Sequence, residues 1–119
     1  MDFTTASMSD VVVSMLEQVG TTQFLSYEEN LTSLGPRHTG NSACIAAAAY
    51  IYSQFENMSL PTRYAHWNNA GYSSDNVEAT INGTNDTSSE IFIICAHYDT
   101  VSAGPGADDD TSGTAPRCS

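Results

Sequence analysis

The sequence Ile91-Phe92-Ile93-Ile94-Cys95-Ala96-His97-Tyr98-Asp99 decides the fold class of this chain. Its first part, Ile91–Ala96, is an unbroken apolar run without glycine or proline. Such a run is typical of a strand that is covered on both faces, as in a sheet that lies between helices. The run stops at His97, so an imidazole follows directly on a predicted buried strand.

The chain upstream of this strand predicts helices. Ser9 or Asp10 can cap a first helix, which stops at Gly20. A second helix extends from about Thr22 to Leu34, and Gly35-Pro36 ends it because proline cannot continue a helix.

A third helix has the clearest pattern. Asn41 or Ser42 can supply its cap. Its apolar residues recur at steps of three and four and form one continuous stripe along the helix: Cys44, Ala47, Ala48, Ile51 and Phe55.

Between the third helix and the apolar run, the sequence period shortens to two. Thr62–Trp67 alternates loosely, and Asn76–Ile81 alternates cleanly, as expected for a half-buried strand. A polar turn with hairpin character, Asn82–Glu90, leads into the apolar run. Helices followed by strands, one of them fully buried, predict a layered α/β domain.

Composition and charge narrow the function. Of 119 residues, 40% are hydrophobic, enough for a packed core, and 14 Asp and Glu oppose three Lys and Arg for a formal charge of −11. This acidity argues against nucleic acid, whose binding needs a basic face. It argues equally against an anionic membrane surface. No stretch reaches the ~20 apolar residues of a membrane-spanning helix.

The cellular compartment is open from the sequence. Met1–Thr5 lacks the basic segment and apolar run of a signal peptide, so the protein is cytoplasmic or its true N-terminus is missing. Triplets of the N-glycosylation acceptor type favour export, although such triplets also arise by chance; they begin at Asn30, Asn57, Asn82 and Asn85. Cys44, Cys95 and Cys118 have no metal-finger spacing, and we expect the first two to be small buried hydrophobic residues.

The segment after the apolar run carries the chemistry. Ligand sites of open α/β sheets lie beyond the carboxyl ends of strands, where His97 and Asp99 stand. Imidazole nitrogen suits zinc, and a carboxylate at the other ring nitrogen fixes the tautomer. Between Gly106 and Gly113 lies Asp108-Asp109-Asp110, and three adjacent acids in an apolar pocket repel one another unless a cation is present.

Each of these features has a plain explanation when it is taken alone. A His at a strand end is more often a hydrogen-bonded packing residue than a ligand, and a loop rich in Asp and Gly is usually a solvated turn. The acids do not fit a helix-loop-helix calcium site, whose acids alternate and end in a distant Glu. In combination, directly after a buried strand, the features favour a metal site.

His97-Tyr98-Asp99 followed by Pro105–Gly113 resembles the zinc-binding core of peptidase family 28 of the metallopeptidases, the co-catalytic zinc aminopeptidases. Two further segments, Gly35–Gly40 and Asn76–Gly83, are similar to pieces of that family and come in the same order. The resemblance spans about Phe24 to Gly113. It implies a layered zinc-exopeptidase-like α/β fold with a mixed central sheet, of which this chain is the N-terminal portion.

The resemblance also implies a role for individual residues. His97 ligates one zinc ion, Asp109 bridges two, and Asp99 orients His97. The run of aspartates also permits an assignment shifted by one residue. A cis peptide bond joins Asp109 to Asp110. The implied cofactor is a pair of zinc ions sharing a water, and the implied substrate is a peptide whose free amino group is held near one metal.

Other polar and aromatic residues receive no functional role from the sequence. Arg37 is explained by a turn between helices, although it is also able to pair with an acid. His38 and His66 are expected to be surface or packing residues, and Trp67 and Tyr98 to be packing residues.

The implied organisation is a fragment of one peptidase domain, residues 1–119, with helices over about 9–57, strands over about 62–97, a metal loop at 97–113 and an aberrant tail at 114–119. The family's Glu-Glu pair, further Asp and late His have no counterpart after Gly113, and Pro116 falls inside the first turns of the expected helix. We therefore expect a truncated chain that is inactive and poorly stable by itself.

Two other interpretations remain open. One is a non-catalytic peptidase-like binding domain, which has no need to keep His97 and Asp109. The other is a carboxypeptidase-like zinc enzyme, which also has a His-x-Asp strand end but whose bridging Asp usually follows at a much longer distance than the twelve residues here.

Overall fold

A computed structural model describes residues 9–118 of the chain, the last two by their backbone alone. The segment Met1–Thr5 and the final Ser119 lie outside the described residues. The described chain contains, in order, helices α1 Asp10–Glu17, α2 Thr21–Thr32 and α3 Ser42–Asn57, strands β1 Thr62–Asn69 and β2 Tyr72–Ala79, and helix α4 Ser112–Cys118.

The three predicted helices form where the capping residues place them. The Ser9 hydroxyl accepts a hydrogen bond from the Val12 amide at the start of α1. At α3, the carboxamide oxygen of Asn41 accepts from the Cys44 amide at 2.8 Å, so Asn41 rather than Ser42 is the cap. After α2, Gly35 takes a φ of 76°, a conformation that ends a helix and that glycine adopts without strain. No helix in the described part of the chain is long and apolar enough to span a membrane.

The core lies between α2 and α3. The predicted stripe of α3 is confirmed, since Cys44, Ala47, Ala48 and Ile51 are buried and Phe55 packs at the edge. Leu31 of α2, only 1% exposed, meets this stripe. In contrast, α1 buries none of its residues, so its apolar side chains contribute nothing to this core.

Strands β1 and β2 form an antiparallel hairpin that runs from the pair Thr62↔Ala79 to the pair Asn69↔Tyr72. Its turn, Ala70-Gly71, has positive φ at both residues, as tight hairpin turns require. The hairpin packs on the helices through Tyr64, whose ring stacks on Tyr52 of α3 at 4.5 Å. The strand predicted at Asn76–Ile81 therefore corresponds to β2, which begins at Tyr72 and ends at Ala79.

The main departure from the sequence prediction is Ile91–Ala96, which does not form a strand. The side chains of Ile91, Phe92, Ile93 and Ile94 are 74–87% exposed, and Cys95 is exposed as well. A strand covered on both faces needs a strand on each side and a layer on each face. In the described residues, β1 and β2 pair only with each other, so residues 91–96 have no neighbouring strand, and their exposed side chains are not covered by a helix. Helices with a two-stranded antiparallel sheet are compatible with the α/β class, whereas the expected mixed central sheet is not formed among residues 9–118.

The predicted aberrant tail is helical over its described part. Helix α4 includes Pro116, which cannot donate a helical hydrogen bond. The helix packs against α2 and buries Thr114 and Ala115, with Ala115 at 0% exposed. The sequence pattern did not indicate this burial, because Pro116 was expected to interrupt the helix.

We expect Asn41→Ala to lower the free energy of unfolding by about 1 kcal/mol, because Ala cannot accept from the Cys44 amide. The loss should be visible as an earlier urea midpoint in circular dichroism. Ser42→Ala is the matched control, since Ser42 was the other candidate cap, and its effect should stay within about 0.5 kcal/mol. Equal effects of the two substitutions would contradict the assignment of the cap.

Candidate metal centre

His97 and Asp109, the two predicted metal ligands, lie beside each other at a shallow groove. The groove is lined by His38, Thr39, His97, Asp99, Thr100, Val101 and Asp109. Nε2 of His97 lies 3.0 Å from Oδ1 of Asp109. Two atoms that bind one tetrahedral zinc ion at about 2.0–2.1 Å are roughly 3.3 Å apart. The pair therefore has the spacing of two ligands of a single ion, and a shift of a few tenths of an ångström would admit it.

Asp99 contacts the other ring nitrogen of His97. Nδ1 lies 3.1 Å from the backbone carbonyl oxygen of Asp99 and 3.3 Å from its Oδ1. The second carboxylate oxygen of Asp99 accepts a hydrogen bond from the Thr39 hydroxyl at 2.6 Å. These contacts hold the imidazole and favour a proton on Nδ1, which leaves the lone pair of Nε2 directed at Asp109.

The electrostatics of this arrangement call for a positive charge. A neutral imidazole with its proton on Nδ1 would aim a lone pair at the carboxylate of Asp109, which only a proton or a cation between them relieves. Burial lowers the pKa of His97, but the hydrogen bond to the Asp99 carbonyl and the carboxylates of Asp99, Asp110 and Asp109 outweigh it and raise the pKa above its ordinary value. A metal ion would compete with that proton for Nε2.

The three consecutive aspartates, Asp108 to Asp110, each make a different contact. Asp109 faces His97, and a cis peptide bond joins it to Asp110. Asp110 turns back, and its Oδ2 accepts from the backbone amide of His97 at 3.3 Å. Asp108 accepts from the Ser112 hydroxyl through its carbonyl at 2.8 Å. The backbone departs from helical angles at Asp109 and Asp110, which is what points the neighbouring carboxylates in different directions.

The residues present fit part of a zinc site. An imidazole nitrogen and a carboxylate oxygen are suitable zinc ligands, and their spacing fits one ion. A tetrahedral site needs four ligands, and no group of three or more His, Cys, Asp or Glu side chains within residues 9–118 is arranged to hold a metal. His97 and Asp109 would therefore supply two of the four ligands of one tetrahedral zinc ion.

Arg37 organises this region, and the sequence interpretation missed its importance. Its side chain is 0% exposed. The guanidinium donates to five partners in separate segments: the carbonyls of Leu31, Gly35, Tyr98 and Pro105 and the hydroxyl of Thr111. Arg37 lies in the connection between α2 and α3, and among residues 9–118 no acid forms a hydrogen bond or ion pair with it. Its partners are carbonyl and hydroxyl oxygens.

The backbone of Arg37 adds a second connection to the same region. Its amide donates to the Thr100 hydroxyl at 2.7 Å, and its carbonyl accepts from the Thr100 amide at 3.1 Å. One residue thus ties the end of α2 to the segments that bear His97 and Asp109. Burial lowers the pKa of Arg37, while the neighbouring Cys44 and Asp99 raise it in part.

Both remaining histidines have partners that the sequence did not indicate. Nδ1 of His66 lies 2.9 Å from Oδ1 of Asp75, the residue directly across the hairpin, and Nε2 lies 3.2 Å from the Ser73 hydroxyl. His38 lines the groove, and its ring makes an edge-to-face contact with the Tyr72 ring, with the two ring centroids 5.8 Å apart.

Tyr98 packs as expected, since its ring lies against the core. Its hydroxyl also donates to the Asp75 carbonyl of the hairpin, which fixes β2 next to the site.

An acid-lined groove with an oriented imidazole is the kind of site that metal-dependent hydrolases use. Residues 76–116 match the family model of Peptidase family M28, so the resemblance seen in the sequence is confirmed for that part of the chain. The matched part runs from β2 through the exposed apolar segment and the aspartate loop into α4, and is less than half of the chain. No curated protein and no solved structure matches the chain. The match supports a peptidase, and therefore a hydrolase, by family resemblance. Peptidases of this family are generally metal-dependent.

We expect Arg37→Leu to lower the free energy of unfolding by more than about 2 kcal/mol, because it removes the donor to buried and partly buried oxygens in several segments. Thermal unfolding followed by circular dichroism measures the change. Arg37→Lys should also be destabilising, since an ammonium cannot reach all of these oxygens.

Arg63→Leu is the matched control for Arg37. Arg63 is exposed and pairs with the half-exposed Glu78, so its replacement should cost no more than about 1 kcal/mol. If the Arg37 and Arg63 variants unfolded at the same temperature, the organising role of Arg37 would be refuted.

We expect Gly113→Ala to displace the Asp110 carboxylate, because a Cβ atom at this position would overlap it. The His97 amide should then lose its acceptor and exchange with solvent faster in hydrogen-exchange NMR. Gly104→Ala, in the loop that precedes the aspartates, is the control, since nothing lies within 4 Å of a Cβ atom there. Unchanged exchange at His97 in the Gly113 variant would show that the contact with Asp110 does not hold.

Proposed function

We propose that this chain carries the first zinc ligands of an aminopeptidase-type M28 exopeptidase. The observation that supports it most directly is the 3.0 Å separation of His97 Nε2 and Asp109 Oδ1. Both residues lie within the segment that matches the peptidase family. Their spacing fits a shared ion, and their chemistry fits zinc.

In the proposed site each residue has a separate task. His97 would hold a zinc ion through Nε2, and Asp109 would be the carboxylate that this ion shares with a second one. The backbone carbonyl of Asp99 accepts a hydrogen bond from the Nδ1–H of His97 and so keeps Nε2 available, and the Thr39 hydroxyl fixes the Asp99 carboxylate. When bound, a zinc pair supplies a water of lowered pKa and polarises the peptide carbonyl.

The side chains that line the groove favour release of N-terminal over C-terminal residues. Among the described residues, the groove lining contains the carboxylates of Asp99 and Asp109 and no Lys or Arg. The lining therefore offers the terminal carboxylate of a peptide no cationic side chain to pair with. Arg37 is completely buried and cannot bind a substrate carboxylate. A carboxypeptidase-like enzyme is therefore the less suitable candidate.

The 119-residue chain by itself should not catalyse the reaction. One imidazole and one carboxylate cannot saturate a zinc ion, and they cannot hold two. No described residue stands as a general base at the groove apart from carboxylates already engaged with His97. The alternative of a non-catalytic peptidase-like binding domain gives no reason for the His97–Asp109–Asp99 arrangement.

We expect the chain to bind zinc weakly through His97 and Asp109, as measured by isothermal titration calorimetry. His97→Ala and Asp109→Asn should abolish the binding, and Asp99→Ala should weaken it about 10- to 100-fold because the imidazole loses its orientation. His66→Ala, which removes a histidine with its own aspartate partner, is the control and should bind as the unchanged chain does. Full zinc binding after loss of His97 would refute the site.

We also expect no hydrolysis of an N-terminal leucine anilide by the purified chain, with or without added zinc. The physical reason is the incomplete coordination sphere. Turnover by the 119-residue chain that a chelator stops and zinc restores would overturn the proposed inactivity while leaving the zinc site intact.

A further inference from the structure

The N-glycosylation acceptor triplets have no place in the proposed reaction, and their structures differ from one another. Transfer of a glycan requires an accessible amide nitrogen on the asparagine and the hydroxyl of the residue two positions later, and the product is a bulky group that must lie at the surface. The asparagines in question are Asn30, Asn57, Asn82 and Asn85.

Asn85 lies in a fully exposed polar loop. Every residue from Thr80 to Glu90 is exposed, and none lies in a helix or strand. The carbonyl of Asn85 accepts from the Ser88 amide at 3.2 Å, so Asn85 heads a tight turn. Its side chain completes a second turn, in which Oδ1 accepts from the amide of Thr87 at 3.1 Å.

The Thr87 hydroxyl also donates to Oδ1 of Asn85, at 2.7 Å. Two hydrogen bonds to a carboxamide oxygen draw electron density toward it and make the hydrogens on Nδ2 more acidic. In the described part of the chain, Nδ2 of Asn85 makes no hydrogen bond and faces solvent. The acceptor nitrogen is thus exposed while the required hydroxyl already contacts the amide.

The other acceptor triplets lack this arrangement. Asn30 lies within α2, where its Nδ2 donates to the Tyr50 hydroxyl at 3.1 Å and the Thr32 hydroxyl donates to the Glu28 carbonyl at 2.8 Å. Both groups that a glycan transfer needs are therefore occupied in the helix.

Asn57 and Asn82 are exposed but differently built. Asn57 is the last residue of α3, and the Ser59 amide bonds back to the Glu56 carbonyl at 2.8 Å to close the helix end. Asn82 lies in the same loop as Asn85, but within the described residues no hydrogen bond links Thr84 to the carboxamide of Asn82.

We propose that Asn85 is an acceptor site for an N-linked glycan, supplied by a lipid-linked oligosaccharide pyrophosphate. In the transfer, Nδ2 of Asn85 forms a bond to the anomeric carbon of the sugar. The bond from that carbon to the pyrophosphate oxygen breaks, and the lipid pyrophosphate leaves with the bonding pair. One proton passes from Nδ2 to a base of the transferring enzyme.

The test is translation of the full chain, behind a cleavable signal sequence, in the presence of microsomes. The unchanged chain should show a gel shift that an N-glycosidase reverses, and mass spectrometry should find the resulting Asn-to-Asp conversion at Asn85. Asn85→Gln and Thr87→Val should both remove the glycan at this position, and Thr87→Ser should keep it.

Matched variants separate Asn85 from its neighbours. Thr84→Val, which disables only the Asn82 triplet, and Asn30→Gln should leave the glycan on Asn85 in place. A glycan at Asn30, Asn57 or Asn82 with none at Asn85 would overturn the proposal. So would an unmodified chain in a reaction that modifies a control glycoprotein.

Discussion

The buried guanidinium of Arg37 is the interaction on which the rest of the site depends. A cation removed from water is costly unless its donors are satisfied, and here they meet carbonyl and hydroxyl oxygens at 2.6–3.4 Å. These oxygens belong to the end of α2, the residue next to His97, and the loop that carries the aspartates. Because a guanidinium has a fixed planar shape, these segments can satisfy it only in one relative arrangement.

In that arrangement the neighbouring carboxylates point in different directions, which reduces the repulsion between them. Asp99, Asp109 and Asp110 each contact a different part of His97: the ring at Nδ1, the ring at Nε2, and the backbone amide. The imidazole therefore stands inside a set of carboxylates that raises its pKa and leaves one nitrogen facing an acid. Such a set of carboxylates favours cationic charge at the imidazole.

The exposed run Ile91–Ile94 has the composition of a buried strand, but it joins no sheet among the described residues. Four large apolar side chains in succession are 74–87% exposed immediately before the candidate metal site. At about 25 cal/mol per Å² of apolar surface, their burial would be a major stabilising term. The pattern is that of an inner strand, whereas the hairpin β1–β2 and the helices pack around α3 instead. The polar loop that carries Asn85 directly precedes this apolar run.

The sequence alone determined the local features that depend on short-range chemistry. The stripe from Cys44 to Ile51 identified α3 and its buried face, and the order His97-x-Asp99 with Asp108-Asp109-Asp110 pointed to the peptidase family whose model matches residues 76–116. These follow from helical periodicity and from ligand type, which neighbouring residues fix.

Only the tertiary structure decided which residues meet. Arg37 lies sixty positions and more before its partners Tyr98, Pro105 and Thr111, and no periodicity marks such contacts. The choice of Asn41 as the cap, the hydrogen bond of Thr87 to Asn85 and the exposure of Ile91–Ile94 likewise depend on geometry. An apolar run predicts that a strand can be buried, but burial also requires partners, and those are supplied by the fold and not by the run itself.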